Sequence, residues 1–168
     1  MTETIEFKKV GQNKVLTYVL WIALAEGVGA LSGWVTRAGS EYFNTQVEHP
    51  PFTAPAWLFP IAWAILYALM GIGAARVYMA PRNASRSRTL AVFIVQLVVN
   101  FFWPVIFFNL EAYGLALIWL GALFVIAALM TVAFRRIEES AGYLQIPYLV
   151  WLGYAAYINA GVWMMMRM

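Results

Sequence analysis

Five stretches of the chain are apolar almost without interruption: 15–35, 57–79, 90–109, 112–134 and 144–166. Each is about 20 residues long or more, the length an α-helix needs to cross a hydrocarbon core of about 30 Å. The runs are continuous rather than alternating, which predicts helices and argues against a β-barrel. The expected fold class is all-α, one integral membrane domain over 1–168 built as a bundle of five transmembrane helices. The 36–56 segment is then the one long connection, expected to be a lid loop. At about twenty residues it exceeds ordinary bundle loops, and its aromatics Tyr42, Phe43 and Phe52 suit a loop packed onto something.

Composition agrees with this pattern. The chain is 63% hydrophobic and 11% charged, against about 25% charged in soluble domains. Within the five runs the only charges are Glu26 and Arg76. There are no cysteines, hence no disulfide or thiolate metal site. The first run is too long, and too poor in a small-residue cleavage pattern, for a signal peptide. The net charge of +3 bears on topology and does not suggest a nucleic-acid partner.

Basic residues are unevenly placed. Lys8, Lys9, Lys14, Arg76, Arg82, Arg86, Arg88, Arg135 and Arg136 fall on one side of an odd-numbered bundle, and Arg37 and Arg167 on the other. Basic residues favour the cytoplasmic side. The expected arrangement is a cytoplasmic N-terminus and an outside C-terminus. The polar segment 1–14 reads as a frayed or amphipathic start.

Three helices carry aromatic stripes at helical spacing. They are Phe59, Trp63, Tyr67 and Met70; Gln96, Asn100, Trp103 and Phe107; and Tyr148, Trp151, Ala155, Ile158 and Asn159. Polar groups in lipid need partners, so these faces should point inward. Rings make up 17% of the chain, enough for either an aromatic core or a pocket for a flat apolar ligand. Glu26 sits near mid-membrane, where a carboxylate costs roughly 2.5–3.5 kcal/mol to insert. It is expected to bond Asn100 or a backbone carbonyl, or to serve as a ligand contact or proton site. Arg76 is expected to snorkel. Ala25, Gly29 and Gly33 form a small-residue stripe suited to close helix packing or to a dimer seam. His49 is alone among prolines and reads as a surface or lid residue. No catalytic constellation and no metal site stands out.

The proline- and tryptophan-rich entry to the second helix carries a resemblance. It comprises Pro50-Pro51, Pro55, Trp57, Pro60, Trp63, Leu66-Tyr67 and Met70-Gly71. With Gln96, Asn100, Trp103-Pro104, Phe107-Phe108, Pro147-Tyr148-Leu149-Val150-Trp151 and the Ala155 to Asn159 spacing, it resembles the translocator protein family, also called tryptophan-rich sensory proteins, over about 25–163. The resemblance implies an intramembrane cavity closed by the first loop, a homodimer in membrane lipid, and a porphyrin, haem or benzodiazepine-type ligand, with no resident cofactor. It implies ligand contacts at Trp63, Trp151, Ala155 and Ile158; taken with the stripes, the helix-two entry and the intramembrane carboxylate, the candidate binding set is Glu26, Trp57, Phe59, Trp63, Tyr67, Asn100, Trp103, Trp151, Ala155, Ile158 and Asn159. A bacterial-type member of the cell membrane is the expected setting. The animal sterol motif is incomplete here, because no basic residue follows Tyr154 or Tyr157 before Arg167.

Three functions compete at this point. The first is a tetrapyrrole-binding protein that senses, transports or scavenges its ligand. The second is an enzyme for light-dependent porphyrin breakdown acting through Trp63 and Trp151. The third is a helix-packing partner of other membrane proteins.

Overall fold

The computed structural model describes residues 13–81 and 83–167; the start of the chain, for which a frayed or amphipathic segment was expected, lies outside them up to residue 12, as does Arg82. The order of elements is α1 Lys14–Gln46, α2 Leu58–Met79, α3 Ala84–Pro104 running on as a π-helical turn Val105–Asn109, α4 Tyr113–Ile137, a short α5 Glu139–Tyr143, and α6 Ile146–Met165. The protein is an all-α membrane bundle of five long helices. Four of them are long and apolar enough to cross a membrane by length and composition. The fifth, α6, interrupts its apolar run with Tyr148, Trp151, Tyr154, Tyr157 and Asn159.

The first helix differs most from expectation. It runs for 33 residues, about 50 Å at 1.5 Å per residue, well beyond the hydrocarbon core. Arg37, Ser40 and Glu41 end the apolar run but do not end the helix. No proline breaks the backbone before Pro50, Asn13 caps the start, and Phe43 is buried near the far end. The expected 36–56 loop is therefore helical as far as Gln46, and the true connection is 47–57. Other ends shift less. Asn83 accepts from the Arg86 amide at 2.7 Å, and this cap starts α3 at Ala84, six residues early. The polar stretch expected as a 135–143 loop holds the end of α4 and the whole of α5.

Close approaches and buried amides hold the helices together. Gly71 lies against the backbone of Ile22, and Gly29 against the Tyr67 ring. Ala25 is fully buried, so the first two residues of the small-residue stripe serve internal packing. The Tyr148 hydroxyl donates to Gln96 Oε1 at 2.9 Å, and the Gln96 amide reaches Met70 Sδ at 3.3 Å. Trp119 donates to the Val99 carbonyl at 2.8 Å. In lipid such groups must be satisfied internally.

At the end of the bundle formed by α4 and α5, Arg76 does more than the snorkelling expected of it. It bonds the Ser140 hydroxyl and lies 3.5 Å from the Glu138 carboxylate. The Ser140 hydroxyl above all, then the Ala141 amide and the Arg76 charge, hold the Glu138 carboxyl below its ordinary range against the effect of burial. A carboxyl depressed in the folded state contributes stability above its unfolded value. That contribution is lost as pH falls through the folded value. The thermal midpoint of the wild type should therefore fall between pH 5 and pH 3 more steeply than that of Glu138→Gln. The difference should stay under about 1 kcal/mol, because both partners are more than a third exposed. Parallel pH curves would detach Glu138 from this linkage.

Candidate functional site

A cavity of about 670 Å³ opens among α1, α2, α3 and α6. Its aromatic wall begins on α2. The Trp63 ring is tilted on Tyr67 at 5.5 Å and stands edge to face against Trp151 of α6 at 6.3 Å. Phe59 meets Trp151 in the same manner at 5.8 Å. Opposite them, Trp103 and Phe107 stack at 5.3 Å with planes 28° apart. Edge-to-face and offset pairs of this kind are worth about 0.5–1.5 kcal/mol beyond burial. They fix the rings that border the cavity.

The stacked pair stands at ordinary four-residue helical spacing, and the helix widens into a π-helical turn over Val105–Asn109. Pro104 has no amide hydrogen to donate, which weakens the regular ladder there. The Leu110 amide instead reaches five residues back to the Val105 carbonyl at 3.1 Å, and the Ala112 amide six residues back to Ile106 at 3.2 Å. The wider turn carries the chain on from Phe107, and Glu111, at φ 50°, turns it into α4.

Of the residues singled out in the sequence, Glu26, Phe59, Trp63, Tyr67, Asn100, Trp103, Trp151, Ala155 and Ile158 are brought together on this cavity. Two are not. Trp57 stands at the start of α2 with 65% of its surface exposed. Asn159 is wholly buried behind the wall, accepting from Trp103 Nε1 at 3.5 Å and donating to the Tyr113 carbonyl at 2.7 Å. It positions Trp103 and does not border the space. Glu26 also departs from expectation. Asn100 donates to the Tyr67 hydroxyl at 3.1 Å, not to Glu26. Among the described residues no hydrogen bond or ion pair reaches the Glu26 carboxylate. Asn100 Oδ1 is buried without a partner. The inner end of the cavity thus offers a carboxyl group and an unpaired amide oxygen.

Sequence reasoning missed the outer half of the α1 wall: Gly33, Arg37, Ser40, Phe43 and Asn44 border the cavity. The signal was present, since Glu26, Gly29, Ala30, Gly33 and Arg37 follow helical spacing straight through the expected helix end. A methyl group added at Gly33 would meet nothing within 4 Å, so this glycine leaves the cavity wide.

The connection 47–57 contributes only Ala56 to the wall. The rest is strapped to α6. The Tyr157 hydroxyl donates to the Pro51 carbonyl at 2.7 Å, the Tyr154 hydroxyl donates to Phe52 at 3.1 Å, and the Ala54 amide donates to Tyr154 at 2.7 Å. Pro50 fits against Gly161. His49 packs edge-on against Phe43 at 4.6 Å. The end of α1, with Arg37, Ser40, Glu41, Phe43 and Asn44, therefore supplies more of this part of the wall than the connection does.

Comparison with known proteins follows this architecture along nearly the whole chain. The TspO/MBR family profile matches residues 18–164. The chain is 33% identical over 153 residues to the tryptophan-rich protein TspO of Archaeoglobus fulgidus, covering 90% of this chain and 97% of that one. It is 33% identical over 135 residues to the tryptophan-rich sensory protein of Cereibacter sphaeroides, with 79% and 81% covered. To the translocator protein of Bos taurus it is 29% identical over 137 residues, with 80% and 81% covered.

Proposed function

This chain belongs to the TspO/MBR family of membrane proteins, and we propose that it binds a tetrapyrrole, porphyrin or haem, in the cavity among α1, α2, α3 and α6. The observation that carries this reading is the wall itself. Flat aromatic faces from three helices border a space of about 670 Å³, within the roughly 300–1,000 Å³ of small-molecule sites. Planar apolar ligands, including benzodiazepine-type ones, suit such a wall. No resident cofactor enters the reading. Sensing, transport and scavenging all require this binding step. Titrating detergent-solubilised protein with protoporphyrin in darkness should give saturable quenching of tryptophan fluorescence, because stacked rings take up indole excitation. A linear, non-saturating response would remove the reading.

Light-dependent porphyrin breakdown is the second reading, favoured by the 6.3 Å approach of the Trp63 and Trp151 indoles. Trp63→Phe and Trp151→Phe keep an apolar ring but lose the easily oxidised indole. Each should bind porphyrin within about threefold of wild type, a fraction of the 1.4 kcal/mol that a tenfold change represents. Each should lose most light-dependent product. Product formation at the wild-type rate in both would relieve these tryptophans of that role.

The protein is further proposed to work as a homodimer in a bacterial cell membrane. The exposed outer face of α4, with Leu115, Ile118, Val125 and Leu129, is available to lipid or to a second copy. The proposed orientation has the N-terminus cytoplasmic, on the nine-to-two distribution of basic residues. Reporter fusions should be active in the cytoplasm at the N-terminus and outside at the C-terminus; the reverse pattern would overturn it.

A further inference from the structure

We propose that Arg37 binds a carboxylate of the ligand and thereby orients it, so that the cavity selects tetrapyrroles with free acid side chains and holds those acids at its mouth. The inference rests on the tetrapyrrole reading and adds to it a ligand class and a direction.

The two ends of the cavity differ in charge. The inner end carries Glu26 and the unpartnered Asn100 Oδ1, and among the described residues no basic side chain there to receive an anion. Among the described residues Arg37 is the one basic side chain on the wall. Among the described residues it forms no ion pair or hydrogen bond. From Glu26 to Arg37 is eleven residues of one helix, about 16 Å at 1.5 Å per residue. Between them the wall of α1 is made of small residues, Gly29, Ala30, Ser32, Gly33 and Thr36; Tyr67 covers Gly29, and at Gly33 the space beside the backbone is open to a planar ring. A macrocycle seated there, facing Trp63 and Trp151, has one edge near Glu26 and the other within reach of a guanidinium. Ser40 and Asn44 lie on the same side of the mouth and offer further donors.

Glu41 also borders the mouth, one turn beyond Arg37 and not paired with it. It opposes the attraction; both side chains are exposed, so salt screens both charges. The guanidinium presents a planar fork matched to a carboxylate. A guanidinium at the outer end and no cation at the inner end together turn the acid groups outward.

The test compares protoporphyrin with its dimethyl ester, which has the same ring but no ionisable side chain. Differences in detergent partitioning cancel when the acid-to-ester affinity ratio of wild type is divided by that of Arg37→Gln. The quotient should be about ten, and should shrink as salt rises, as expected for a charge-assisted bond near the surface. Arg37→Lys should retain part of the preference, and Glu41→Gln should increase the wild-type ratio. Circular dichroism on each variant separates lost binding from lost fold. A quotient of one, with both compounds bound by wild type, would sink the role of Arg37 and leave the tetrapyrrole reading standing. If wild type binds neither compound, both fall.

Discussion

Ala155→Phe is expected to lower porphyrin affinity by at least tenfold while the protein stays folded. Ala155 is 6% exposed, on the inward side of α6 one turn from Trp151 and close to Ile158. A phenyl group there projects into empty space, so it fills volume a ligand would use and presses little on neighbouring helices. A tenfold loss corresponds to about 1.4 kcal/mol, modest for displacing a ring from an aromatic stack. The control is Ala116→Phe on α4, fully buried and away from the cavity. There the same ring overpacks a filled core, at about 1–3 kcal/mol in stability. Titration and thermal unfolding of both variants give opposite expected patterns. Wild-type affinity in Ala155→Phe would move the site elsewhere.

Gly71→Leu should produce the largest loss of stability, about 3 kcal/mol or more, at the upper end of overpacking. A Cβ at Gly71 would lie 2.5 Å from the Ile22 Cα, 2.8 Å from its amide nitrogen and 2.8 Å from the Trp21 carbonyl. These are backbone atoms of α1 and cannot rotate away. Seating the side chain means moving α1 off α2, which takes Glu26 and Gly29 away from Tyr67. The contrast is Gly27→Ala, where the added methyl meets nothing within 4 Å. It should be neutral or gain up to about 1 kcal/mol from helix propensity. Helix loss on heating in detergent reads both. An unchanged midpoint in Gly71→Leu would mean that α1 and α2 do not pack through this glycine.

Much of the bundle was legible in the chain, because hydropathy reports directly where lipid contacts side chains. The inward stripes of α2, α3 and α6 were legible too, since 3.6-residue spacing survives whatever the helices pack against. The outer wall of α1 was not, because hydropathy marks the edge of the hydrocarbon and says nothing about where hydrogen bonding stops. Arg37 and Phe43 were assigned to a loop for that reason. Relative depth along the bundle axis was not legible either. Counting from helix ends staggers Trp63 and Trp151 along the bundle axis. In the structure Gln145, at the start of α6, donates to the Leu69 carbonyl at 3.5 Å. The last turns of α2 therefore run on past α6 to lie beside α5. Six residues back from Leu69 and six forward from Gln145 bring the two indoles level. Interlocking offsets of this kind are tertiary facts, set here by Gly73 leaving room for the Gln145 amide.

The π-helical turn gives the aromatic wall a dependence on chain length as well as on composition. Trp103 and Phe107 stand four residues apart, as a regular helix already allows; the turn lets the helix accommodate one residue more before Asn109. Deleting Val105 or Ile106 would draw Phe107 and Phe108 one position back along the helix. Each of them would then turn by about 100° about the helix axis, one residue's share of a 3.6-residue turn. Every ring would survive in the sequence, but Phe108 and not Phe107 would stand four residues after Trp103, and Asn109 would shift from the Val35 carbonyl to which it now donates at 3.2 Å. Relatives that keep these aromatic residues but differ by one residue in this segment would have the same side chains arranged around a differently shaped space.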